Sequence, residues 1–230
     1  MAYFLILILT PCAIILSRWI NNKAALPVLT TISVYFPFLL EAQVSLLHGM
    51  VLLLFWAMLQ SILVLYFSFR DPAAMANLIW NAEEYTQRML LWIESGEFPE
   101  GSARSVLYVH LKQMLMYCLL AFGSANMLSL MLGSALLNYM NYYVAQLASG
   151  SRKKLLAFCI GWNPWSIVRV IAFLYLGIVF GAPSLSLFLP IEFSFSAMAL
   201  IPGILGILFD VAVKILVAPS WSRKLRVNRL

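Results

Sequence analysis

The sequence predicts an all-α, polytopic transmembrane helical bundle of about seven spans, with six to eight as the admissible range, and one amphipathic helix at the cytoplasmic surface. Three observations predict it. Of 230 residues, 63% are hydrophobic and 10% charged, and mean hydropathy is +0.91, whereas a water-soluble domain carries about 25% charged residues. Apolar runs approaching the ~20 residues needed to cross a bilayer recur along the chain. Lys and Arg collect on alternate connections between those runs. The formal charge of +6 does not indicate nucleic acid, because the cations are dispersed beside apolar segments instead of forming one face.

The apolar runs lie near 2–17, 24–41, 45–69, 105–122, 124–147, 164–183 and 194–217. No Lys or Arg precedes the first, which therefore reads as a retained span and not a cleaved leader. Pro27 and Pro37 interrupt the second, so a re-entrant or interfacial segment would read similarly there. The chain thus divides into a membrane segment of about three spans (1–69), a cytoplasmic helix and linker (70–104), a second segment of about four spans (105–217) and a basic tail (218–230).

Orientation follows from the cations. With the N-terminus outside, the cytoplasmic connections hold Arg18 and Lys23, then Arg70, Arg88 and Arg104, then Arg152, Lys153 and Lys154, and last Arg223, Lys224, Arg226 and Arg229. The external connections near 42–44, 123 and 184–193 hold none. This is the positive-inside pattern of a bacterial cytoplasmic membrane with the C-terminus in the cytoplasm, and an odd number of spans preserves it.

Between 70 and 104 the chain resembles water-exposed protein. Asp71 before Pro72 gives a helix cap and first turn, and Gly96 before Pro99 a stop, so a helix of about two dozen residues is expected. Met75, Leu78, Ile79, Tyr85, Met89 and Trp92 recur at helical spacing, with Asn77, Asn81, Glu84 and Arg88 opposite, and Glu84 placed to pair with Arg88. The segment carries six acids (Asp71, Glu83, Glu84, Glu94, Glu97, Glu100) against three arginines. An anionic lipid surface would repel it. The apolar stripe therefore packs on the protein's own spans or docks a partner subunit.

Within the later spans, Asn163 and Pro164 offer a helix start flanked by Trp162 and Trp165. Gly177 and Gly181 form a GxxxG step, and Ser129 and Gly133 a small-xxx-small step; internal packing is the favoured use of both. The Asn-Tyr-rich stretch 138–143 reads as an aromatic belt with interhelical hydrogen bonds. Cys12, Cys118 and Cys159 are far apart, without a CxxC pair, and read as small hydrophobes.

Ionisable groups inside spans are costly and mark sites. His110, Lys112, Arg169 and Asp210 fall roughly 7 to 11 Å from the inner boundary, with Gln60, Gln113, Asn138 and Asn141 in or near the same layer. Asp210 is expected to pair with Arg169 or Lys112, Lys214 being a third candidate. A buried ion pair is the plain reading, and a cytoplasm-facing cavity that binds an anion or relays protons through His110 is the functional one. Glu41, His48 and Glu192 lie near the outer boundary. A bis-His haem is opposed by the separation of His48 from His110, about 20 Å along the membrane normal.

No cofactor or metal site is predicted, although a bound lipid is compatible with the sequence. HExxH, GxSxG and Walker motifs are absent. The expected partners are membrane lipids and other protein subunits. The leading functional expectation is a non-catalytic structural or scaffold subunit of a membrane complex, docking through the acidic amphipathic helix. The alternative is a small transporter or channel with a polar cavity open to the cytoplasm.

Overall fold

The structure is a computed structural model and describes residues 1–95, 102–162, 164–190 and 197–229. The described chain is helical, in the order α1 (Ala2–Ile20), α2 (Ala25–Val44), α3 (Leu46–Arg70), α4 (Pro72–Leu78), α5 (Ala82–Ser95), α6 (Ala103–Gly123), α7 (Met127–Ser149), α8 (Lys154–Gly161), α9 (Pro164–Leu185) and α10 (Ile201–Arg229). A short 3-10 turn, Ala197–Leu200, leads into α10. Gly96, Glu97, Pro99, Glu100, Asn163 and Glu192 lie outside the described residues, as do the side chains of Trp165, Arg223, Lys224, Arg226 and Arg229.

Six helical stretches are long and apolar enough to cross a membrane: α1, α2, α3, α6, the α8–α9 stretch and α10 with its leading turn. Pro27 and Pro37 do not break α2, which runs unbroken for 20 residues. Pro27 sits in the first turn, where its missing N–H would have had no intrahelical partner.

The seventh long helix, α7, has 23 residues, about 35 Å of length, yet it falls outside the apolar set. Its surroundings explain why. Neighbours on all sides, α2, α3, α4, α5, α6, α8 and α9, pack against it, and Ser129, Ser134, Asn138 and Asn141 are fully buried. A helix enclosed by protein can carry polar groups that lipid would reject, provided its neighbours supply partners.

The amphipathic segment is not one helix. It bends at Ile79–Asn81, where Asn81 takes a left-handed φ of 54°, a conformation that asparagine tolerates better than most residues. As expected, Asp71 caps α4 by accepting from the Ala74 amide at 3.2 Å. It also binds Arg18 at 2.7 Å, tying the end of α1 to the start of α4. The guanidinium of Arg18 lies 5.3 Å from the Phe67 ring centre, a cation–π contact. On the outer side of the elbow Glu84 and Arg88 stand 3.7 Å apart, an exposed pair of little energetic consequence.

The bend lets each half of the stripe lie on a different part of the bundle. Met75, Leu78 and Ile79 join a cluster with Ile14, Leu26, Val64 and Tyr142. Trp92, Tyr85 and Met89 join another with Leu65, Tyr143, Val144 and Leu147. The face expected to dock a partner is therefore occupied by the chain's own α1, α2, α3 and α7.

Glycines set the closest approaches. A Cβ on Gly177 would stand 2.7 Å from Asn126 Oδ1 and 2.8 Å from Tyr117 Cε1, and one on Gly181 would stand 3.1 Å from Asn126 Cβ. The GxxxG step thus seats α9 against the α6–α7 turn, where Asn126 has φ 74°. The other step is looser: Ser129 bonds back to the Asn126 carbonyl at 2.8 Å, and a Cβ on Gly133 would meet Tyr117 at 3.5 Å, an ordinary contact. Gly177→Ala is expected to lower stability by about 1–3 kcal/mol through overpacking, while Gly133→Ala stays within about 0.5 kcal/mol. Thermal unfolding of the two variants in one detergent checks the contrast, and equal effects would contradict the assigned contacts.

Candidate functional site

Two buried polar assemblies lie within the bundle. The first joins α1, α2 and α3 to α7. Thr10 of α1 and Ser33 of α2 are 3.1 Å apart, and Thr30 of α2 reaches Ser134 of α7 at 2.8 Å. Gln60 of α3 donates to both Ser134 Oγ and Asn138 Oδ1, each at 2.7 Å. Further along α7, Asn141 accepts from the Trp162 indole at 2.7 Å. Asn138 and Asn141, picked out by sequence as members of one polar layer, are thus interhelical anchors with different partners. Sequence reasoning passed over Thr10, Thr30, Ser33 and Ser134. Hydroxyls are frequent in transmembrane helices, and only the facing residue reveals their use.

The second assembly carries the charges. Arg169 Nη1 of α9 donates to Asp210 Oδ2 of α10 at 3.2 Å and stands 3.2 Å from His110 Nε2 of α6. His110 Nε2 is 3.6 Å from the same carboxylate oxygen, and Ser166 lies 3.4 Å from Arg169 Nη2. Asp210 and His110 are 1% and 3% exposed, Arg169 22%. The other oxygen, Asp210 Oδ1, is buried with no hydrogen-bond partner among the described residues.

Helix geometry decides which of the expected residues meet. Asp210 takes Arg169, one of the three cations the sequence offered, and not Lys112. Two residues beyond His110 on α6, Lys112 points about 200° away from it and is exposed. Lys214, one turn past Asp210, lines the same cavity as His110 and Arg169. His48, in the first turn of α3, is exposed and held by its own helix cap, with Ser45 Oγ 2.6 Å from Nδ1. It has no part in either assembly.

The cavity has a volume of ≈ 120 Å³ and lies among α3, α5, α6, α7, α9 and α10. Tyr85, His110, Gln113, Arg169 and Lys214 supply its polar wall. Trp56, Leu130, Leu137, Phe173 and Leu174 supply the apolar one. Phe173 lies one turn, about 6 Å, from Arg169 along α9, so polarity changes sharply along the cavity. Asp210 stands behind the wall: its charge holds Arg169 and His110 in place without lining the space itself. Among the described residues no group of three or more His, Cys, Asp or Glu is placed to hold a metal.

No protein-family model matches the chain, and no curated protein or solved structure matches it either. The functional reading therefore rests on the geometry.

Gln60→Leu is expected to lower stability by about 1–2 kcal/mol, because it strips partners from buried Ser134 and Asn138 together. Chemical or thermal unfolding in detergent measures this. A variant as stable as the parent would show that the α3–α7 network does not contribute.

Proposed function

We propose that the protein is a small binding or transport protein of a bacterial cytoplasmic membrane, taking an anionic ligand from the cytoplasmic side into the cavity beside Arg169. The observation that carries this reading is the join between a charged cluster and an apolar cavity. His110 and Arg169 form a cavity wall whose continuation is Trp56, Leu137 and Phe173. A purely structural ion pair needs no such space beside it. In this reading α7 crosses as the seventh span, the N-terminus is outside, and the basic connections and tail are cytoplasmic. Membrane lipids cover the exposed apolar faces of the outer helices.

A non-catalytic subunit of a membrane complex is the second reading. Its support has moved from the buried stripe to the solvent side of the α4–α5 elbow, where Trp80 and Leu91 are 59% and 61% exposed on a segment that also exposes Glu83 and Glu84. Co-purification separates the two readings. A bound small anion identified by native mass spectrometry supports the first, and a stoichiometric protein partner lost on Trp80→Ala and Leu91→Ala supports the second.

Two measurements test the first reading. Gly133→Leu projects a side chain into the cavity from a position whose Cβ has room. It should leave the melting temperature within a few degrees of the parent and abolish retention of the small anion. Retention unchanged by the filled cavity would place the ligand elsewhere. For orientation, single cysteines at the exposed positions Gly123 and Arg152, in a background lacking the three native cysteines, should react differently in spheroplasts. An impermeant maleimide should label position 123 and spare 152 until the membrane is permeabilised, and labelling of both or of 152 alone in intact spheroplasts would overturn the seven-span topology.

A further inference from the structure

The hydrogen bonds of the cluster fix its protonation state, and with it a coupling. His110 Nδ1 lies 2.8 Å from the Val106 carbonyl. A carbonyl only accepts, so Nδ1 carries a hydrogen. Arg169 Nη1, which only donates, lies 3.2 Å from Nε2. Nε2 therefore accepts, and the imidazole in this arrangement is neutral. One Arg169 nitrogen thus serves two acceptors, Asp210 and His110.

A proton added at Nε2 makes that arrangement untenable, because two donors would face each other. The new N–H has an acceptor ready at 3.6 Å in Asp210 Oδ2, and Oδ1 of the same carboxylate has no partner among the described residues. The imidazolium can take over the carboxylate. Arg169, the most exposed of the three, then keeps a full charge and a fork of donors on the cavity wall.

We propose that protonation of His110 and binding of a small organic monoanion at Arg169 are coupled one to one, the proton releasing Arg169 from Asp210 to receive the anion. The inference rests on the anion-binding reading above. Charge balance supports it. Before binding, Arg169 and Asp210 cancel. Afterwards His110 and Arg169 are balanced by Asp210 and the anion, so the cluster itself is neutral in both states, and the charge of Lys214 on the same wall is unchanged between them. The other titratable groups around His110 are Lys214 of α10, Tyr117 of α6 itself, Tyr139 of α7 and Tyr85 of α5. None needs to change its charge.

The anion's body is set by the cavity. A cavity of ≈ 120 Å³ is somewhat smaller than the ~150 Å³ that holds a benzene ring, so it sets one small ring as the upper limit of the apolar body, with the carboxylate outside that volume at Arg169, and a long acyl chain exceeds it.

Benzoate is the probe. Its binding to the purified full chain in detergent is measured calorimetrically in buffers of different ionisation enthalpy between pH 5.5 and 8, with Arg169→Gln and His110→Gln alongside. The expected result is uptake of about one proton per benzoate, with affinity falling about tenfold per pH unit once His110 is neutral in the free protein. Arg169→Gln should abolish binding, and His110→Gln should reduce proton uptake to near zero. Benzoate bound by the parent with no proton uptake would overturn the coupling and leave the anion site standing. No Arg169-dependent binding at any pH would overturn both. Should either variant fail to fold, benzoate binding and the proton count of the parent protein decide alone.

Discussion

Hydrocarbon does not tolerate an unpaired carboxylate, and this constraint organises the second half of the molecule. Asp210 lies mid-helix in α10 with its side chain 1% exposed. An ionised acid within a span costs up to about 3 kcal/mol, the value at the centre, even when the chain and bilayer can adapt, and leaving one without its partner inside a packed protein costs about 3–5 kcal/mol. Arg169 meets the requirement from α9, with His110 of α6 as the third member. The registers of α6, α9 and α10 are thereby tied at one level, and the cavity exists because a guanidinium and an imidazole occupy a wall that aliphatic side chains would otherwise fill.

The first half of the molecule obeys the same rule with neutral groups. There α7 acts as the axis, its serines and asparagines spent on α2, α3 and the Trp162 indole. Because protein encloses it, α7 is less apolar than the six helical stretches that meet the spanning criteria. The broken amphipathic pair α4–α5 covers α7 and the neighbouring helix ends at one side of the bundle. Lipid-like packing at the outside, hydrogen bonds at the axis and an ion pair between α9 and α10 divide the stabilisation among three kinds of contact.

Much of this was legible in the sequence. Hydrophobic runs gave the helices because backbone satisfaction in lipid leaves few alternatives. Asp210 and Arg169 were legible because ionisable residues inside spans are rare, and depth along a helix follows from residue count. Azimuth was less accessible: Lys112 shares the depth of His110 but not its side of α6, and spacing along a single helix cannot say which side faces the cluster. The elbow at Ile79–Asn81 was missed because helical periodicity continues almost in phase across it, the only local sign being an asparagine that accepts positive φ. The cavity was inaccessible to sequence, since it is a volume left among six helices. Likewise, the hydroxyl pairs Thr10–Ser33 and Thr30–Ser134 depend on long-range register that no local pattern encodes.

The central claim is that Asp210 and Arg169 stabilise the bundle as a pair, and a double-mutant cycle tests it most directly. Unfolding free energies would be compared for the parent, Asp210→Asn, Arg169→Gln and the double variant in one detergent. If the pair is the constraint described, each single change is strongly destabilising and the double change costs clearly less than their sum, because the second substitution removes the charge that the first left unmatched. Strictly additive losses would show that the two side chains do not depend on each other, and the charge-balanced cavity wall would lose its foundation.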